Sequence, residues 1–557
     1  MKAMRLLKKY GAYILFLLCL CLWGGFYDFA NAILGTVLAG LLLICGKLNE
    51  EIKFPIGTIG KCLGLIMLCS IVSVFTARDK GIALIGTVRI LTVLEFWIYW
   101  NNLADERREQ IFQVVPVSGA LATMAVLPAF FLPGIQEHFY RAGRLGGVFQ
   151  YSNTYALFLL AGLIVLVFQK HWEVKEILEA GILLVGIVFT GSRSVFVFTI
   201  VALVLIFWCS RELRKKWKWI MPPVIISIIL LQMCLHLNIE RLVKLSMDSS
   251  TLNGRFLYWR DAIPIIVKHP FGLGYMGYYF LQPQFQTGNY VTKYVHNELL
   301  QCALDIGILA AILTIVIVIS ALADKGNKRR NKALLILLGL HSLFDFDLQF
   351  SIMLFLMLMC LGTKKEKYFT VRFKWMSLSE ILLGMVLLYF SVALGAEYVG
   401  DYELALRMYP RNTFARAALM FNDEKQSNEI AKLLIRDNGM LASAYENALG
   451  EAASLGQAKE ALEYERMMLQ CAGYNSYYYN QAVYELSIVI DSVVREGDLE
   501  GGQEILEEIQ GMSNRIKAME KRTSGLAYRI NDKPGIVLRA EIEAYIQGME
   551  RIVLYEK

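Results

Sequence analysis

The chain has 557 residues, 56% of them hydrophobic and only 19% charged, with a mean hydropathy of +0.46. Soluble domains carry about 25% charged residues, so this deficit excludes a soluble enzyme, a disordered chain and a secreted disulfide scaffold. Within the net charge of +7, residues 1–396 carry +15 and residues 397–557 carry −8, which points to two environments.

Apolar runs of roughly 17–25 residues cross a bilayer as helices, because 1.5 Å per residue must cover about 30 Å. Thirteen runs follow in chain order, at 10–27, 29–46, 56–77, 82–103, 111–133, 154–169, 177–191, 195–209, 220–237, 297–322, 333–349, 350–363 and 378–396. They predict an all-α fold, a polytopic bundle of about 12–13 membrane helices over residues 1–396. Lys2, Arg5, Lys8 and Lys9 precede the first run, and no small-residue cleavage site follows it. It therefore reads as a span rather than a signal peptide. Nine cysteines, Cys19 to Cys360, lie in apolar segments and only Cys471 lies beyond them, so neither a disulfide framework nor metal-ligand spacing is present.

Basic residues set the orientation. With a cytoplasmic N-terminus, the internal connections include Ser210–Trp219, Ala323–Lys332 and Thr363–Trp375, each holding five Lys or Arg. The external turns hold few: Arg78 and Lys80, Arg141 and Arg144, and Arg193. Alternation through all spans leaves residues 397–557 outside the cytoplasmic membrane as a soluble helical domain. There, stretches 400–412 and 443–468 place Ala and Leu at helix-hairpin spacing with Gly at the turn. The texture is tetratricopeptide-like without a clean period of about 34 residues. An unclassified helical bundle fits as well, and either one is a docking surface rather than a catalytic centre.

One external connection, residues 238–296, is far longer than an ordinary loop. In it Phe256, Trp259, Ile263, Ile266 and Val267 fall at helical spacing, predicting an amphipathic helix lying at the interface. Pro270 ends that helix, and Gly272, Gly274 and Gly277 predict a tight turn. Arg255 and Arg260 stand near its start, and His296 closes the loop where the chain re-enters the membrane. The short turn TGSRS (190–194) holds Arg193 at the external boundary, and residues 141–156 bring Arg141, Arg144 and Asn153 to another. A single arginine there is explained by snorkelling to lipid headgroups, and a single histidine by capping the next helix. Four separate segments contributing three arginines and a histidine to one face are less readily explained that way.

The ordered set GRLGGVFQYSN, TGSRS, NGRFLYWRDA, HPFGLGY and VHNELLQCALDIGILA resembles the bacterial O-antigen ligase and polymerase family over roughly residues 140–345. The resemblance implies a helical membrane glycosyltransferase of cell-surface polysaccharide biosynthesis. Such an enzyme takes a glycan from an undecaprenyl-diphosphate carrier and passes it to a glycan, lipid or protein acceptor. By the same resemblance, Arg193 and Arg255 fall on arginines that hold the diphosphate and His296 on the general base. Arg144 matches a further basic position more loosely. Arg260 is an extra basic residue, assigned with Arg144 and Asn153 to substrate binding. Asp305 stands where family members often carry Glu.

The chemistry wants these residue types. Negative charge grows on the departing diphosphate oxygen, and arginine offers a permanently charged, bidentate fork. An acceptor hydroxyl needs a base, and nearby arginines favour the uncharged imidazole that serves as one. No cofactor or metal is expected. Asp345 and Asp347 form an Asp-x-Asp pair at an external turn, where they face water or pair with an arginine, an ion being the alternative. Arg89 and Glu95 lie within the fourth span six residues apart, so each takes a different partner. Membrane lipids, a donor, an acceptor and a protein partner at the C-terminal domain are the expected partners, and nucleic acid is not. The rival reading is a polysaccharide or lipid transporter without bond chemistry, although no internal repeat supports it.

Overall fold

The computed structural model describes residues 2–132, 134–169, 172–209, 250–423 and 425–552, with Pro222, Ile225, Ile226 and Ile229. Apart from those four residues, the span expected at 220–237 lies outside the described residues, as does the basic stretch 211–219. The described chain is almost entirely helical. Five helical segments are long and apolar enough to cross a membrane: Asp28–Asn49, Thr58–Thr76, Lys80–Asn101, Asp105–Phe131 and Phe373–Tyr398. Ser152–Val167, Val174–Thr190, Arg193–Cys209 and Ile308–Ala323 add shorter apolar helices. The protein is an all-α, multi-pass membrane protein.

Small residues set one close helix contact. Where Asp28–Asn49 meets Phe373–Tyr398, a Cβ on Gly35 would reach Leu387, and one on Gly384 would touch Ala39 at 3.4 Å. Backbones approach this closely only where side chains are minimal. Buried charges in the neighbouring Lys80–Asn101 helix have specific partners. Arg89 pairs with Asp28 at 2.7 Å and donates to the carbonyls of Phe26 and Gln349, whereas Glu95 faces Glu380.

The connections sort into two faces. On one, strand Glu51–Pro55 pairs antiparallel with Tyr368–Arg372, Arg330 and Lys328 grip Glu109, and Arg108 bonds Thr363. On the other, Asp79 caps the Lys80–Asn101 helix. Asp79 also accepts from Thr413 and from Asn438 of the C-terminal region. The connections expected on one side of the membrane thus touch one another, and so do those expected on the other.

One expected span is broken. Residues 297–322 form two helices, Glu298–Asp305 and Ile308–Ala323, separated at Gly307 with φ +112°. The glycine-rich turn fills the break. Leu273 and Gly274 donate to the carbonyls of Leu304 and Asp305, and Ile308 donates back to Pro270. These bonds satisfy carbonyls that a helix end otherwise leaves orphaned. Gly272 has φ +85°, and a Cβ on it would lie 2.7 Å from the Asp305 carbonyl oxygen, so no larger residue fits.

Beyond Tyr398 the chain continues as helices, among them Ala442–Ser454, Ala458–Ala472, Ser476–Glu496 and Leu499–Arg522. The expected turn glycine Gly456 adopts φ +65°. This region packs on the long loop: Tyr278, Leu281 and Tyr294 share one buried apolar cluster with Leu469, Leu486 and Met512. Asn289 donates to the Pro534 carbonyl, and Ser524 donates to that of Thr287.

Candidate functional site

The turn FDFDLQF (344–350) joins the helices Arg329–Ser342 and Ser351–Met359. Its two acids do not face water: Asp345 is 1% exposed and Asp347 0%. A buried carboxylate needs several donors, and Asp345 has them. Oδ2 accepts from Arg255 Nη2 at 2.9 Å and Asn153 Nδ2 at 2.7 Å. Oδ1 accepts from the Tyr151 hydroxyl at 2.8 Å and the Phe346 amide at 3.0 Å, and lies 3.2 Å from His296 Nδ1. Asp347 turns to the other side, toward His341 and Thr154.

Each group arrives on a different element. Asn153 lies in the first turn of the Ser152–Val167 helix. Arg144 donates to Asn153 Oδ1 at 2.7 Å and, through Nε, to the Thr190 carbonyl at 2.9 Å. Thr190 ends one helix, Gly191 follows in the left-handed conformation that closes it, and Arg193 starts the next. Arg144 therefore ties the Asp345 cluster to the turn that carries Arg193. The Arg193 Nε is buried without a hydrogen-bond partner, and so is that of Arg255. Among the described residues Arg193 makes no ion pair.

Arg255 rides on the helix Ser250–Lys268. The expected apolar stripe is only partly the packed one. Trp259 donates its indole N–H to the carbonyls of Val295 and His296, and Ile266 is buried. Phe256, Ile263 and Val267 point outward, and Leu257, Ala262 and Ile265 fill the protein side instead. The helix is apolar on two faces, and periodicity alone selects neither. Arg260 is exposed and is not drawn into the cluster. Its neighbour Asp261 is buried and accepts from the Thr287 amide and hydroxyl and from Tyr290. Burial pushes the Asp261 carboxyl up from its ordinary range against the lowering effect of those bonds.

His296 has φ +54°, a conformation a non-glycine side chain adopts at a cost and one frequent at functional positions. It does not cap the following helix. Asn297 does, accepting from the amides of Leu299 and Leu300. His296 stands over the Phe346 ring, edge-on with centroids 5.0 Å apart.

The structure thus gathers Arg144, Asn153, Arg255 and His296 around Asp345, sets Arg193 on the adjoining turn, and leaves Arg260 apart. Sequence reasoning left Asp345 between water and an arginine partner, of which the structure shows the arginine, Arg255, and it missed Tyr151. The available signal was an acid inside an apolar run, which marks a buried partner without naming it.

A cavity of about 360 Å³ lies between the membrane helices, lined by residues next to the cluster in sequence rather than by the cluster itself. Leu343, and Leu348 and Gln349 from the FDFDLQF turn, line it together with Glu298 and Leu299, and Val93, Ile317 and Leu358 extend it between the membrane helices.

Residues 180–315 match the family model described as O-Antigen ligase. That stretch holds Arg193, Arg255 and His296, whereas Arg144, Asn153 and Asp345 lie outside it. No curated protein and no solved structure matches the chain. Over residues 180–315 the chain is similar to the O-antigen ligase family.

Proposed function

We propose that the protein is a membrane glycosyltransferase that moves a glycan from an undecaprenyl-diphosphate carrier to an acceptor hydroxyl. The transfer takes place on the outer face of the bacterial cytoplasmic membrane, as ligase or as polymerase. The observation that carries this reading is the pair of buried, unpartnered Nε groups of Arg193 and Arg255, on the same face of the bundle as the Asp345 cluster and the long loop. Fixed cationic donors of this kind answer the charge that grows on a departing diphosphate, and a dehydrated boundary strengthens them.

In the reaction the bond from the anomeric carbon to the diphosphate oxygen breaks, and its electron pair stays on that oxygen beside Arg193 and Arg255. The acceptor oxygen forms the new bond to carbon and gives up its proton to His296. A proton on His296 Nδ1 facing Asp345 fixes the tautomer that leaves Nε2 free to accept. Asp345 also holds Arg255, so one carboxylate positions base and cation together. Arg144 and Asn153 brace the site, and the largely apolar cavity suits the isoprenoid chain. Arg260 meets the acceptor glycan at the exposed edge. The domain over residues 397–557 lies outside the membrane and recruits the acceptor or a protein partner.

The test is the purified protein in nanodiscs with a labelled undecaprenyl-diphosphate glycan. Release of the carrier diphosphate only when acceptor is added supports the reading. Counterflow of intact label across proteoliposomes, without cleavage, overturns it in favour of a transporter.

A further inference from the structure

Asp347 carries a second set of contacts. Its Oδ2 lies 2.5 Å from His341 Nδ1, and its Oδ1 accepts from the Thr154 hydroxyl at 2.7 Å. His341 Nε2 lies 3.0 Å from Ser194 Oγ. His341 and Asp347 are 1% and 0% exposed, whereas Ser194 is only half-buried at the open end of the chain. Adjacent residues on each element serve the two acids. Asn153 bonds Asp345 and Thr154 bonds Asp347, and Ser194, which ends the second chain, directly follows Arg193.

A buried ion pair is a poor brace, since well-packed apolar side chains hold helices together at least as well. It does serve to aim a polar group. With both ring nitrogens protonated, His341 donates Nδ1–H to the carboxylate and Nε2–H to Ser194 Oγ, the arrangement that aiming Ser194 requires. The Ser194 O–H is then left to donate away from His341, on the residue that follows Arg193 in the chain.

We propose that Ser194 is a hydroxyl donor to the diphosphate of the donor lipid, and that His341 and Asp347 are its positioning residues. This rests on the transferase reading and names a group of the site that neither the motifs nor the family match singled out.

The experiment titrates undecaprenyl diphosphate into nanodisc-held wild type, Ser194→Ala, Ser194→Thr and His341→Gln, and measures transfer kinetics and melting temperature on the same samples. A hydrogen bond to a charged group predicts binding and KM for the donor weakened about 10- to 100-fold in Ser194→Ala, with kcat nearly unchanged. Ser194→Thr, which keeps the hydroxyl, restores most of the loss, and His341→Gln falls between. The proposal is overturned if Ser194→Ala binds and turns over like wild type. It is equally overturned if Thr is as defective as Ala, or if the loss appears only as a lower melting temperature. If wild type itself binds no lipid diphosphate, the transferase reading falls as well, a result separable from the others.

Discussion

Arg255 and Asp345, ninety positions apart in the chain, form a buried ion pair at 2.9 Å. This pair fastens the long loop to the membrane bundle. Removing one partner of such a pair strands the other charge and typically costs about 3–5 kcal/mol. Asp345→Asn and Arg255→Ala are therefore both expected to lower the melting temperature and to abolish transfer. A double variant, Arg255→Met with Asp345→Leu, should recover only part of the stability and no activity, because Asn153, Tyr151 and the Phe346 amide lose the same acceptor. Differential scanning fluorimetry beside a transfer assay reads both effects.

Arg193 makes the contrasting case. It has no ion pair to lose among the described residues, so Arg193→Ala should leave the melting temperature within a degree or two. Loss of one oxyanion-type donor typically costs about 2.7–4 kcal/mol, which corresponds to two to three decades in rate. A variant as active as wild type would remove Arg193 from the site.

For His296, loss of a general base predicts a fall of roughly 10²–10⁴ in kcat. The left-handed backbone adds a second expectation. His296→Gly should melt higher than His296→Ala although both are inactive, because only glycine adopts φ +54° without cost. Equal melting temperatures would show that the backbone relaxes once the side chain is gone.

Glu465 gives the C-terminal region a pH dependence. Burial outweighs the attraction of Arg515 at 2.8 Å and pushes its carboxyl up to about 7. A folded-state value above the ordinary 4.5 means that the folded chain holds this proton more tightly than the unfolded chain. The associated stability is complete below about pH 4.5 and is lost as pH rises to about 7. Glu465→Gln should then stabilise the protein at pH 8 and change little at pH 4.5, while Arg515 keeps its second partner Glu508 at 2.7 Å. Thermal melts at the two pH values decide it.

Gly272 tests the docking of the loop. With φ +85° and the Asp305 carbonyl 2.7 Å from any added Cβ, Gly272→Ala must displace the turn that caps the Glu298–Asp305 helix. Destabilisation above about 1 kcal/mol is expected, with faster amide exchange across residues 270–275. Unchanged exchange would show that the turn absorbs the methyl group.

Hydropathy made the membrane spans legible, and the alternation of basic connections anticipated which loops meet. The pairing of Glu51–Pro55 with Tyr368–Arg372 on one face and the contact of Asp79 with Asn438 on the other agree with that alternation. The break at Gly307 was not legible, because hydropathy averages across a single glycine and cannot register a positive φ. Nor was the inward face of Ser250–Lys268, since both of its sides are apolar.

By itself the sequence determined which segments are apolar enough to enter a bilayer and which residue types stand at their ends, because transfer free energy and formal charge belong to each residue locally. Only the tertiary structure decided that Asp345 gathers Arg255, Asn153, Tyr151 and His296, and that Asp347 turns the other way. Those choices depend on which donors the packing of distant helices brings within about 3 Å of a carboxylate, and nothing in the linear order of the residues encodes such a distance.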